Sequence, residues 1–135
     1  MRHPLEPLSA AEVAIAVQVL RDAGKVTPTT RFVSVMLKEA PKDAVHSGTG
    51  WEKLPRHAAA VLFDNATNSC FETEVNITAG SVTAFKHVPG VQPTMTIDEQ
   101  VECEQAVLNC PEFAAALKKQ YGITDTTLVM VCLLY

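Results

Sequence analysis

The basic residues of this sequence form no run. Eleven lysines and arginines are scattered along 135 residues, and Lys118–Lys119 is the one adjacent pair. Net charge is −4, with a pI near 5.5. Without a basic stripe the chain has no electrostatic footprint for nucleic acid, and its charges read as a solvated surface. A membrane-length apolar run is also lacking. The longest is LVMVCLLY at the end of the chain, far short of the roughly 20 residues that cross a bilayer. MRHPLEPLS lacks the apolar core of a secretory signal, so the expected location is intracellular, cytoplasmic or peroxisomal. Asn65-Ala-Thr67 and Asn76-Ile-Thr78 are glycosylation triplets that count only in a secreted protein. Among Cys70, Cys103, Cys110 and Cys132 there is no C-x-x-C pair. Cys103 and Cys110 lie roughly 10 Å apart along a continuous helix. A disulfide needs Cα atoms within about 7 Å, so they cannot pair unless the helix breaks between them. Reduced thiols are expected.

What is present is a globular composition, 47% apolar and 19% charged. The length suits one domain or two very small ones. Ser9-Ala-Ala-Glu12 is a capping box, and Val13, Ala16, Val17 and Leu20 follow on one helical face. Gly24 suits the left-handed stop. An amphipathic helix is predicted over 9–23. RFVSVMLK (31–38) alternates as a strand, with Phe32, Ser34 and Met36 on one side and Val33, Val35 and Leu37 on the other. A polar loop from Pro41 to Pro55 follows. Its Trp51 is placed either to cover the sheet edge or to pack on a neighbouring domain. Further strands are predicted at 57–64, 71–77 and 82–88. The polar stretch 64–69 and a tight Ala79-Gly80 hairpin join them. One helix on one face of a four-stranded antiparallel sheet is an α+β, two-layer solution.

HVPGVQPT (87–94) has the prolines and glycine of a linker. Thr96-Ile-Asp-Glu99 then repeats the capping box. Pro111 opens a second helical stretch to Tyr121, Gly122 ends it, and TTLVMV reads as a strand. Capped helix, glycine, strand is the order that opened the chain. The expected organisation is a complete small domain at 1–90, a linker at 91–95, and an incomplete second unit at 96–135 with helices plus a first strand.

Few constellations carry chemistry. Glu72 and Glu74 share a strand face, where acid–base work and a solvated surface compete as readings, and the surface is the simpler. His57 and His87 invite pairing with Cys70 as a nucleophile, although nothing in the sequence orients them. Asp98, Glu99, Glu102 and Glu104 sit where a helix N-terminus favours acids, which accounts for most of them without a bound cation. No catalytic, cofactor-binding or metal-ligating residue is assigned.

HPLEPLSAAEV (3–13), RFVSVMLKEAPK (31–42), LPRHAAAVLFDNATN (54–68) and GVQPTMTIDEQVECEQAVLNCPEFAAALKKQYGITDTTLVMV (90–131) resemble the N-terminal region of copper-containing primary amine oxidases, most closely fungal ones. The resemblance implies two small domains of cystatin-like shape preceding a large catalytic domain. That domain carries copper and topaquinone, a cofactor made from one of its own tyrosines. The full enzymes deaminate primary amines to aldehyde, ammonia and hydrogen peroxide, and are homodimers. The family's copper site includes a His-x-His pair, and its cofactor tyrosine follows an asparagine. Here His3, His46, His57 and His87 are never one residue apart, Tyr121 follows Gln120, and Tyr135 follows Leu134. The resemblance thus implies a non-catalytic N-terminal fragment with no cofactor of its own. Its partner would be the remainder of the oxidase chain or its homodimer, with no nucleic acid and no membrane. The alternative is a stand-alone cystatin-like binding module. The Gln-x-Val-x-Gly hairpin of cystatin inhibitors is absent at both Gln92 and Gln100.

The end departs from the family, which runs Asp-x-Trp after Val-Met-Val where this chain has Cys132-Leu-Leu-Tyr. Val131-Cys132 can be encoded by GTATGT, a common fungal intron start, so the expectation is that CLLY is translated intron. Codons there that do not match a splice donor would overturn this. An apolar strand without partners recruits other strands. Deleting 126–135 is therefore expected to raise solubility, measured as soluble yield. Unfolding of 1–90 on deletion would instead mean that the tail pairs with the first sheet.

Overall fold

The computed structural model describes residues 3–132, which divide into two compact units between Pro93 and Thr94. The first unit begins with α1 (Ala10–Asp22). Ser9 Oγ accepts from the Glu12 amide (3.3 Å), and the Ser9 amide donates to Glu12 Oε2 (2.9 Å), the reciprocal cap the sequence predicts. At the other end Gly24 has φ +65°, which only glycine adopts cheaply. The Gly24 amide then reaches Arg21 O and the Lys25 amide reaches Leu20 O, each at 2.9 Å, closing a Schellman motif.

Four strands follow: β1 (Thr30–Lys38), β2 (His57–Asp64), β3 (Ser69–Asn76) and β4 (Ser81–Val88). They lie in the order β1-β2-β3-β4, every pair antiparallel. The chain order equals the spatial order; short turns join β2 to β3 and β3 to β4, whereas residues 39–56 connect β1 to β2. Asn76 closes the β3–β4 turn by accepting the Ala79 amide on Oδ1 (2.9 Å). Helix α1 packs on one face of the sheet. Ala16 and Leu20 meet Ala58 and Val75 in the core, joined at its border by Leu8, Val19, Phe32, Val35 and Val82. The buried Thr73 hydroxyl donates to Ala84 O (2.9 Å), so its burial leaves no polar atom unmatched.

The strand faces of β1 differ from the expected simple alternation. Phe32 pairs with Leu62 and Ser34 with Val61, leaving Val33 as an extra residue. This bulge reverses the alternation. Phe32 and Val35 consequently both reach the core, while Ser34 and Met36 face away from α1. The Pro41–Pro55 segment is also more ordered than a polar loop. It holds a short α2 (Lys42–His46) and a 3-10 turn at Trp51–Lys53.

In the second unit α3 (Ile97–Leu108) carries the second capping box, with the Thr96 amide donating to Glu99 Oε2 (2.7 Å). Helix α4 (Pro111–Tyr121) starts on proline and stops at Gly122, φ +71°. The expected strand at 126–131 is a correction. Thr126–Leu128 is a 3-10 turn, and no strand occurs among the described residues of this unit. Asp125 accepts from both the amide (3.0 Å) and the hydroxyl (2.6 Å) of Thr127. This local cap satisfies the backbone where no neighbouring strand offers a ladder. The rest of the expected tail, 133–135, lies outside the described residues. No helix among the described residues is long and apolar enough to cross a membrane.

Candidate functional site

The densest polar constellation centres on Arg56, just before β2. Its Nε donates to Glu12 Oε1 (3.0 Å) and its Nη2 to Glu12 Oε2 (3.4 Å). The same guanidinium donates to the carbonyls of Pro4 (3.1 Å), Glu6 (2.9 Å) and Pro7 (3.4 Å). The two side chains are 17% and 12% exposed, which makes this a largely desolvated pair. Arg56 also places its backbone, since its amide donates to Thr78 Oγ1 (2.9 Å) and its carbonyl accepts from Ile77 (2.8 Å). One residue thus ties the entering chain, the cap of α1 and the β3–β4 turn together. The fork of guanidinium donors suits this task, because three carbonyls and a carboxylate are reached at once. Glu12 serves both the cap and the clamp.

Beside the clamp, His3 meets the Trp51 ring edge-on with centroids 4.6 Å apart. The Trp51 indole donates to Val45 O (3.2 Å). Trp51 therefore packs within the first unit, beside a cleft of about 250 Å³ that Leu37, Lys38 and His57 also line.

The sheet face opposite α1 forms a second depression, about 280 Å³, lined among others by Ser34, Met36, Ala59, Val61 and Ala84. Glu72 and Glu74 stand on this face. Glu74 forms an ion pair with Lys38, and Glu72 is opposite Lys86 in the ladder. Two carboxylates matched by two lysines on an open surface do not make an acid–base pair.

The histidine and cysteine candidates are not brought together. Cys70 is opposite Phe63, six residues along β2 from His57, so roughly 20 Å separates them. His87 pairs with Phe71 and lies against its ring (5.3 Å), which places it on the other side of the sheet from Cys70. Although α3 ends before Cys110, all four cysteines are free thiols. The Cys110 thiol donates to Glu112 Oε2 (3.1 Å), which lowers the Glu112 pKa. Glu99 is the capping partner of Thr96, and no three His, Cys, Asp or Glu side chains converge among the described residues. The donor set among the described residues therefore does not fit a copper ion.

Asp64 is a buried carboxylate. It accepts from the Thr29 hydroxyl (2.5 Å), the Thr67 hydroxyl (3.0 Å) and the Ala66 amide (3.2 Å), shaping the turn after β2. The Thr29 bond is the chief cause of its lowered pKa, with burial opposing it. A depressed carboxylate contributes stability that is present above its unfolded pKa and lost as pH falls through the folded one. Acidification from about pH 5 to about pH 3 should thus lower the urea midpoint of the natural chain more than that of Asp64→Asn. Equal losses would remove Asp64 from the acid response.

A family model described as the AGAO-like N2 domain matches residues 9–84. The chain belongs to this family. Within it, this chain is 41% identical over 128 residues to a primary amine oxidase of Arthrobacter sp. (strain P1), covering 94% of this chain and 19% of that protein. It is 35% identical over 117 residues to copper amine oxidase 1 of Schizosaccharomyces pombe, covering 82% and 16%. The copper-containing benzylamine oxidase of Hansenula polymorpha shares the fold, with a TM-score of 0.73 at 21% identity over 87% of this chain and 20% of that one. The chain thus spans about a fifth of the length of the curated relatives it matches. His-Pro-Leu-x-Pro-Leu, Ser-Ala-Ala-Glu and Leu-Pro-Arg are the segments the clamp joins. Their contact was not legible in the sequence, because Glu12 and Arg56 are 44 residues apart.

Proposed function

We propose that this chain is a non-catalytic N-terminal portion of a copper amine oxidase. It would supply one complete small domain and the helices that begin a second. The carrying observation is coverage: 94% of this chain aligns with 19% of the Arthrobacter oxidase. The function read for the whole relatives, oxidative deamination of a primary amine with release of aldehyde, ammonia and peroxide, belongs to the remaining length. The sheet and clamp of the first unit supply a rigid body, and its role is to pack beside the catalytic part in the chain or its homodimer. Copper and topaquinone, the family's cofactors, would belong to that other part; for copper, no three His, Cys, Asp or Glu side chains converge among the described residues.

Purified protein tests this directly. The expected result is no amine-dependent peroxide, no stoichiometric copper and no quinone absorbance. Stoichiometric copper with turnover would overturn the proposal.

A further inference from the structure

Strand β2 reads His57-Ala-Ala-Ala-Val-Leu-Phe-Asp64, apolar on both of its sides. Ala58, Ala60 and Leu62 face the core beneath α1 and are buried. Ala59 and Val61 face the other way, onto the open depression. A strand of an antiparallel sheet with one face in water alternates apolar and polar, whereas a near-continuous apolar run belongs to a strand covered on both sides. Its neighbours extend the pattern. Met36 is 56% exposed beside Ala59, and Ala84 is exposed beyond Glu74. Small residues at Ser34, Ala59 and Ala84 leave the concave floor into which another surface can press. The charges at its border cancel, Glu74 with Lys38 and Glu72 opposite Lys86. A self-neutralised rim around an apolar floor suits burial against protein and gives no pull on a polyanion.

Resting on the reading that this chain is part of an amine oxidase, we infer that the sheet face opposite α1 is the surface that seats against the remainder of the oxidase chain. Relatives of the Arthrobacter type carry about four-fifths of their length outside the aligned part, so a covering polypeptide is supplied in the same molecule. The helix side is already filled by α1; on the opposite face Phe63 and Cys70 are buried within this chain, and the unmatched apolar pattern is the part around Ser34, Met36, Ala59, Val61 and Ala84.

Site-directed labelling tests the inference. This chain is grafted in place of the matching segment of the Arthrobacter oxidase. Ser34→Cys, Ala84→Cys and, on the solvent side of α1, Ala14→Cys are then introduced one at a time. Maleimide labelling is followed peptide by peptide in the isolated chain and in the graft. The expected result is at least tenfold slower labelling of Ser34→Cys and Ala84→Cys in the graft, with Ala14→Cys unchanged. Equal labelling in both contexts at the two sheet positions would overturn the docking face while leaving the family assignment intact. Protection of the two sheet positions in the isolated chain that grows with concentration would also overturn it, in favour of a second copy. A graft that yields no assembled oxidase would sink the proposed function and the docking face with it.

Discussion

Arg56→Ala should lower the stability of the first unit by about 2–4 kcal/mol, read from the urea midpoint. The magnitude follows from what the truncation leaves behind. Glu12 would remain a largely buried carboxylate with the Arg56 guanidinium gone, and the Pro4, Glu6 and Pro7 carbonyls would lose a donor. Removing one member of a desolvated pair costs more than the pair contributes as a whole, because the survivor keeps its desolvation. The variant should also free the entering segment, so protease cleavage between His3 and Leu8 should accelerate. Glu12→Gln should cost less than Arg56→Ala, since the amide oxygen still accepts from the Ser9 amide. A change within about 0.5 kcal/mol for Arg56→Ala, as for an ordinary surface substitution, would reduce the clamp to a crowded surface contact.

Leu20→Ala is expected to cost about 3–4 kcal/mol in the same measurement. Leu20 is fully buried, and two of its core partners are already alanines, Ala16 and Ala58. Such neighbours cannot expand into the space vacated. The flat sheet behind them is held by its ladder, so the cavity would persist and add to the lost transfer energy. Ile15→Ala is the control. Ile15 is on the same helix but 44% exposed, and its truncation should change stability by less than about 1 kcal/mol. Equal effects at the two positions would mean that α1 does not dock through the Ala16–Leu20 face.

Local features of this chain were legible wherever neighbours in sequence decide them. The two capping boxes, the proline that opens α4 and the glycines that follow α1 and α4 are all where the sequence puts them. These devices need only four or five consecutive residues. The four strands were likewise readable, and the short turns between β2, β3 and β4 leave little choice of neighbour there. The reading of β1 went wrong at Val33, because a bulge depends on the partner strand and has no signature in an alternating run. TTLVMV has strand-like composition yet turns at Asp125–Thr127, since β-propensity describes a fit to neighbouring strands. Among site candidates, the carboxylates of β3 stand on the sheet face opposite α1, with Glu74 paired to Lys38. The Cys70–histidine idea failed on register, which puts His57 far along β2 and His87 on the opposite face.

By itself the sequence determined where α1, α3 and α4 start and stop, which four segments of the first unit are strands, and which family segments the chain carries. The tertiary structure alone decided which side of β1 meets the core, that Arg56 gathers Glu12 and the carbonyls of Pro4, Glu6 and Pro7, and that β2 turns an apolar side away from α1. The division has a physical cause. Caps and turns are closed by atoms a few bonds apart, whereas a bulge, a clamp spanning 44 residues and an uncovered face exist only when distant segments have been brought into register.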